Sequence, residues 1–324
     1  MKRRGIRPVL LGIDLGGTKV AYTLADESGQ ILARKRAPSP NTGGWEGDIA
    51  RMLESARAFC LEQGCEGPSL VGVCAPGPLD LDEGLVLHPP NLRGWTEVAL
   101  PARLEEELRC PVRMENDANA GALAEWRFGA GRGARSLVYL TMSTGVGAGL
   151  ILDGRLYGGP RGTAGEVGHV AVAWPGEPCA CGLSGCLEAY VGGRAWSARL
   201  RQETPDSSLV LAYAGERKSV SPEHVLAAAR AGDDWAHEEV SRFNHYLARG
   251  LAPLVSLLAP ERIVLGTIVA AAGEELCLAP LREEVARHVW PHQAPEMEIR
   301  AAELGEDLPH RSAIAVALEG AQRA

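Results

Sequence analysis

The sequence predicts an α/β protein built of two related lobes, and three observations lead there. Its 324 residues exceed what one hydrophobic core organises, so two lobes of roughly 100 to 200 residues each follow from surface-to-volume scaling. Apolar residues make up 46% of the chain and glycines number 39, which suits short strands and tight turns better than a disordered or coiled-coil chain. A strand, glycine turn, strand plan also occurs twice, around Gly16 and again around Gly145.

Residues 9–14 are a short apolar run that stops at Gly16-Gly17, and 19–25 alternate apolar and polar. Two strands around a glycine turn satisfy both patterns. Ile49, Met52, Leu53, Ala56, Phe59 and Cys60 recur at helical spacing across 45–63, and Gly64 ends the pattern. Residues 70–75 read as a buried strand, 112–114 as a brief one, and 117–128 as an Ala-rich helix with polar side chains in its first turn. The second round opens with a strand at 136–142 that runs through the glycine-rich 144–149 into a strand at 150–153. A late strand spans 262–266. Helical patterns precede it over 222–259, with an interruption expected near Pro253, which lacks an N–H, and follow it over 274–290. The last helix, 309–323, carries a face of Ile314, Leu318 and Ala321 that requires a partner.

A formal charge of −8 argues against broad binding to nucleic acid or acidic membranes, which need a basic face. The basic cluster within 1–7 imitates the start of a signal peptide, but the apolar run behind it is too short and ends at Asp14. No run reaches transmembrane length. Of eight cysteines, three crowd between 179 and 186 and the others lie scattered in apolar settings, which is no secreted disulfide framework. A reducing cytoplasm is the expected compartment.

Asp14-Leu15-Gly16-Gly17-Thr18-Lys19 ends a strand, so its glycines can turn while amides, the Thr hydroxyl and the Lys face an anion such as phosphate. Asp14 is poorly placed for phosphate but suited to hold Mg²⁺ through water. A bare Gly-Gly would equally serve an ordinary hairpin; the hexapeptide is the more specific signal. Thr144-Gly145-Val146-Gly147-Ala148-Gly149 is followed by strand residues and not by a helix, which excludes a dinucleotide-binding loop and leaves a second phosphate-facing hairpin. In Glu115-Asn116-Asp117-Ala118-Asn119, one carboxylate would be explained as a first-turn helix charge. Four polar groups in five positions point further, to an Asp that accepts a hydroxyl proton during phosphoryl transfer.

His169 with Cys179, Cys181 and Cys186 matches a closed tetrahedral zinc site, and four protein ligands make such a metal structural. The site would anchor the loop presenting Glu166 and Glu188, while the second ring nitrogen of His169 stays available. Glu166, His169 and Glu188 are candidates for binding sugar hydroxyls, with surface carboxylates as the plain alternative. Asn91, in a Pro-Asn turn, is a further candidate.

Taken together these residues resemble the ROK (repressor, open reading frame, kinase) family. The phosphate motif is resembled by 14–19, the catalytic motif by Asn116-Asp117-Ala118-Asn119, the sugar motif by Gly165-Glu166-Val167-Gly168-His169, and the zinc motif by 179–188, in the family's order across nearly the whole chain. The resemblance implies an actin-like ATPase, hexokinase-type fold with two lobes around a nucleotide and sugar cleft. The N-terminal lobe would comprise 1–118 completed by 306–324, and the C-terminal lobe 119–305. It implies an ATP-dependent sugar kinase, most directly a glucokinase, with N-acetylmannosamine and N-acetylglucosamine kinases and a non-catalytic sugar sensor as alternatives. Asp117 would be the base; Asn91, Asn116, Glu166, His169 and Glu188 the sugar ligands; Asp14, Gly16, Gly17, Thr18, Lys19, Thr144, Gly145, Gly147 and Gly266 the nucleotide and Mg²⁺ residues. His169, Cys179, Cys181 and Cys186 would hold structural Zn²⁺, and the assembly would be a homodimer or a dimer of dimers. The family's repressors carry a helix-turn-helix domain ahead of the phosphate strand, which here begins almost at once. One departure concerns the adenosine motif: Gly266-Thr267 stands where the family has a glycine pair, so a Cβ at Thr267 is expected to crowd the nucleotide or favour another phosphoryl donor.

Overall fold

The computed structural model describes residues 9–323, with side chains to Glu319; the basic cluster within 1–7 and the Ala321 side chain lie outside the described residues. The chain divides into two compact units. The first comprises residues up to Phe128, Gly158–Ala164 and residues from Glu306 onward, and the second comprises Gly129–Tyr157 and Gly165–Gly305.

In the first unit, strands β1 (Val9–Leu15), β2 (Lys19–Asp26) and β3 (Ile31–Pro38) lead into helix α1 (Trp45–Glu62). Strand β4 (Leu70–Ala75), a ribbon of β5 (Leu79–Asp80) and β6 (Leu85–Val86), helix α2 (Leu100–Leu108), strand β7 (Val112–Asn116) and helix α3 (Asp117–Phe128) follow. The sheet order is β3-β2-β1-β4-β7, with β1, β4 and β7 parallel and β2 and β3 antiparallel to their neighbours. Ile49, Met52, Leu53, Ala56, Phe59 and Cys60 are the buried face of α1, as their spacing predicts.

The second unit repeats the plan. Strands β8 (Leu137–Met142), β9 (Val146–Leu152) and β10 (Arg155–Leu156) form the meander. Helices α4 (Glu188–Val191), α5 (Gly193–Glu203), α6 (Leu209–Ala214), α7 (Pro222–Arg230) and α8 (Asp234–Leu258) come before β11 (Arg262–Leu265); α9 (Ile268–Gly273), α10 (Ala279–Ala286) and β12 (Glu298–Ala301) come after it. The order β10-β9-β8-β11-β12 carries the same strand directions as the first sheet. Two of the expected helical patterns differ in detail. The interruption within 222–259 falls at Gly232, whose φ is +86°, and Asp233 caps the next helix by accepting from Ala236 N–H at 2.8 Å. Pro253 stays inside α8 among buried Leu251, Ala252, Leu254 and Val255, where burial outweighs one missing bond. The pattern over 274–290 is a π-helical turn, Glu274–Leu278, running into α10, which ends at Ala286.

Helix α11 (Leu308–Arg323) returns to the first unit and packs on α3, β1 and β4. Gly12 and Gly72 face each other in the β1–β4 register, and this pair makes the close approach possible. A Cβ at Gly12 would lie 2.8 Å from Ala313 Cβ; one at Gly72 would overlap the Ala313 carbonyl oxygen and lie 2.5 Å from Ala317 N. Ile314 is fully buried there and Leu318 partly so.

Candidate active site

Parallel β1, β4 and β7 end on one edge of their sheet, and the register sets Asp14, Cys74 and Glu115 on one rung. The chain leaves β7 at Asn116 and starts α3 with Asp117. This brings two carboxylates into interaction. Burial pushes the Asp14 carboxyl up to about 7, repulsion by Asp117 adds to it, and Arg36 opposes it. The Cys74 thiol between the strands is held well above its ordinary value by burial, then by Asp14, Asp117 and Glu115, so it stays neutral. Asp117 is exposed, and its Oδ1 accepts from Ala118 N–H at 2.8 Å, as does Asn116 Oδ1 at 2.9 Å. Glu115 Oε1 accepts from Asn116 N–H and from Asn119 Nδ2, both at 2.9 Å. Glu115 and Asn119 thus fix the strand-to-helix junction from which Asp117 projects.

The glycine turn closes through Gly16 N–H donating to Lys19 O at 3.0 Å, and Ser39 N–H donates to Thr18 O at 2.9 Å; Thr18 and Lys19 are exposed. Asn91 is seated directly on Gly17, where a Cβ would come within 2.8 Å of both Asn91 Cβ and its carbonyl oxygen. Asn41 joins the two: its Nδ2 donates to Asn91 O at 2.9 Å and to Gly17 O at 3.4 Å, and its Oδ1 accepts from Arg93 N–H at 2.8 Å. Buried Asp48 accepts from the Thr42 hydroxyl at 2.7 Å and from Trp95 Nε1 at 3.0 Å. Sequence reasoning missed Asn41 and Asp48. Asp48 had a signal, a carboxylate beside Ile49 on the apolar face of α1; Asn41 had none.

In the second unit the turn is shorter than expected. Ser143 N–H donates to Gly145 O at 3.0 Å, and β9 begins at Val146, so Gly147 pairs with Thr141 inside the sheet. Burial of Val146 and Ala148 draws the segment into strand conformation. Thr144 is exposed at the turn. Glu188 reaches this hairpin from α4: its Oε2 accepts from Val146 N–H at 2.8 Å, and a Cβ at Gly145 would overlap that carboxylate. Glu166 is exposed at the head of a 3₁₀ turn, Val167–His169.

That turn leads to the cysteine loop. Val172 N–H donates to Gly185 O at 2.8 Å, Cys179 N–H to Leu183 O at 2.8 Å and Gly182 N–H to Cys179 O at 3.0 Å. At Gly185, with φ +80°, a side chain would overlap the Ala173 carbonyl oxygen. The folded loop gathers His169, Cys179, Cys181 and Cys186 so that their donor atoms all lie within 4.8 Å of one another. Cys179 Sγ is 3.8 Å from His169 Nδ1, and Cys181 Sγ is 3.7 Å from Cys186 Sγ. All eight cysteines are free thiols.

Beside the hairpin is a cavity of about 600 Å³, whose lining includes Thr144, Gly193, Arg194, Pro222, Leu226 and Thr267. This is the size of a small-molecule pocket. A Cβ at Gly266 would lie 3.0 Å from the Tyr139 hydroxyl. Thr267 adopts φ +45°, a conformation that favours glycine. Its hydroxyl offsets the strain by accepting from Met142 N–H at 2.9 Å and donating to Met142 O at 2.5 Å.

The family model described as "ROK family" matches residues 10–319. A glucokinase of Thermotoga maritima is 37% identical, over 92% of this chain and 93% of its own. The xylose repressor of Bacillus subtilis is 28% identical over 94% of this chain and 78% of its own. Among solved structures, a ROK family glucokinase from Streptomyces griseus in complex with glucose and AMPPNP superposes with a TM-score of 0.77 at 34% identity, covering 95% of this chain and 98% of that one. With the family model spanning both sheets and every motif read from the sequence, the chain belongs to the ROK family and has its actin-like fold.

Proposed function

We propose that this ROK protein is an ATP-dependent hexokinase whose acceptor is glucose. The observation that carries the reading is the exposed Asp117 carboxylate at the carboxyl end of β7, interacting with the partly buried Asp14. Asp117 accepts the proton of the sugar hydroxyl as its oxygen attacks the γ-phosphorus. The amides of Gly16 and Gly17 with the Thr18 and Lys19 side chains suit a nucleotide's phosphates, and Thr144 and Gly145 at the turn, with Gly147 in the strand behind it, are the corresponding candidates of the second unit. The cavity at Thr267, next to Gly266, receives the adenosine. Asp14 fits a Mg²⁺ partner, because burial and Asp117 both oppose its charge and a cation relieves both. Such an ion would supply positive charge against the negative charge that develops on the phosphate.

Asn91, Asn116, Glu166, His169 and Glu188 offer the sugar hydroxyls directional partners, Glu188 with the carboxylate edge that Val146 leaves open. The His169 and cysteine cluster fits Zn²⁺. Tetrahedral Zn–S bonds of about 2.3 Å separate sulfurs by about 3.8 Å, close to the 3.7 Å between Cys181 and Cys186, whereas a disulfide would hold them at about 2.05 Å. His169 would ligate through Nδ1, which lies 3.8 Å from Cys179 Sγ, and its Nε2 would then be the nitrogen available to substrate. The ion supplies rigidity, not Lewis acidity, since four protein ligands close its shell.

Free thiols throughout support a cytoplasmic setting, and among the described residues no helix is long and apolar enough to cross a membrane. The assembly we propose is a homodimer through the second unit. A panel of hexoses with ATP and Mg²⁺, scored for ADP release, tests the activity. Glucose should exceed 2-acetamido sugars at least tenfold in kcat/KM, a margin one pocket wall can supply. Fastest turnover of N-acetylmannosamine would correct the acceptor; sugar binding with no sugar-dependent ADP release would replace the kinase by a sensor.

A further inference from the structure

The second unit holds another group of ligating side chains, outside everything described so far. His245 on α8, Glu284 on α10 and His288 just beyond α10 place one ligand atom each within 4.8 Å of the others. We propose that they form a binding site for a divalent transition-metal ion of the zinc, nickel or copper kind, linking α8 to α10.

The geometry is that of a two-histidine, one-carboxylate site. His245 Nδ1 lies 3.0 Å and His288 Nε2 3.2 Å from the same carboxylate oxygen, Glu284 Oε1. Ligands about 2.0–2.1 Å from one ion at near-tetrahedral angles stand about 3.2–3.4 Å apart, so an ion enters with small side-chain movements. Glu284 sits in the last turn of α10 and His288 two residues past its end, where the closing turn, with His288 N–H donating to Val285 O at 2.9 Å, brings the two together. The supporting contacts are already made. Arg287 Nη1 holds the second carboxylate oxygen, Oε2, at 2.8 Å. The His245 ring meets Tyr246 edge-on at 5.4 Å, and Tyr246 stacks on Tyr190 at 3.9 Å. A carboxylate and a ring held by such neighbours lose little freedom on ligation. Imidazole donors select zinc, nickel and copper over magnesium and calcium, which prefer all-oxygen shells.

Three protein ligands leave a position open, unlike the closed set at the cysteine loop. His245 and Glu284 line a groove of about 1390 Å³, so that position faces space large enough for water or an anionic ligand. Without metal, Glu284 is held below its ordinary range, first by the hydrogen bond from His245 and then by those from His288 and Arg287. Metal uptake breaks the two histidine hydrogen bonds and turns each nitrogen's lone pair to the ion. The ring proton moves to the opposite nitrogen or to solvent.

The test is calorimetric titration of tag-free protein with Zn²⁺ in millimolar Mg²⁺, comparing wild type with His245→Ala, His288→Ala and the double variant. All three retain the cysteine loop, and both histidines are at the surface, so folding is preserved. Wild type should take up one more equivalent than the double variant, and each single change should weaken that equivalent at least tenfold. Equal uptake by wild type and double variant, or an extra equivalent untouched by either single change, overturns the proposal and leaves a hydrogen-bonded surface cluster.

Discussion

Replacing Asp14 by Asn should make the protein more stable at alkaline pH while removing its activity. Burial and Asp117 push Asp14 from the ordinary 3.8 up to about 7. Between those values the folded protein holds a proton that the unfolded chain has released, so stability falls as pH rises. The displacement corresponds to about 4 kcal/mol once the group is ionised. Below pH about 4 the carboxyl is protonated in both states and the penalty is absent. Asn has nearly the same shape and no charge, so the variant escapes the penalty at every pH. Water at the partly exposed carboxylate and side-chain relaxation reduce the gain to about 2 kcal/mol at pH 8, or roughly 4–8 °C in Tm for a unit of this size. Thermal unfolding of both proteins from pH 4.5 to 8.5, without nucleotide or divalent cation, measures it. The Tm difference should be smallest at the acid end and grow with pH until Asp14 is fully ionised. A difference independent of pH, or a wild type more stable at pH 8, would refute the reasoning.

Two further outcomes follow from the packing. Gly72→Ala puts a methyl group into the Ala313 carbonyl, and because the obstacle is backbone it should lie at the upper end of the ~1–3 kcal/mol typical of overpacking; a Tm within about 2 °C of wild type would show that α11 moves aside freely. Cys181→Ser should lose about one equivalent of zinc by metal analysis, as expected of a four-ligand structural site, and should weaken sugar binding. An unaltered metal content would remove the cysteine loop from the account.

The segments that were legible in sequence are those whose side chains carry a strong apolar period or an unusual composition. Strand β1, the face of α1, the Ala-rich α3 and the cysteine loop all belong here. Strand β3 was not legible, although it alternates in burial, because its inward residues include Ala33, Lys35 and Ala37, too small or too polar to mark a period. Strand β12 is four residues long and gives no periodic signal. The break between α7 and α8 was expected at Pro253, since proline is the stronger breaker in general; here burial around Pro253 prevails and Gly232 with the Asp233 cap makes the break. Around the site, motifs exposed the groups meant for ligands and hid those that hold them. Asn41 acts through hydrogen bonds to the backbone of Gly17, Asn91 and Arg93, segments distant in sequence, and no local pattern encodes such pairings. The hydroxyl of Thr267 bonds the end of β8, a role that only the three-dimensional arrangement reveals.

Asp117 is where the account is most exposed to contradiction. Asn at this position keeps a side chain that can hydrogen-bond a hydroxyl but cannot take its proton. Steady-state kinetics of Asp117→Asn with glucose, ATP and Mg²⁺ should therefore show turnover reduced roughly 10²- to 10⁴-fold with a comparatively small change in KM, in a protein whose fold and metal content match wild type. If Asp117 served only as a first-turn charge of α3, the change would cost at most about a kilocalorie per mole of stability and leave turnover nearly intact. A folded variant retaining more than about a tenth of wild-type turnover, against that expected range, would contradict the assignment of the base and with it the proposed reaction.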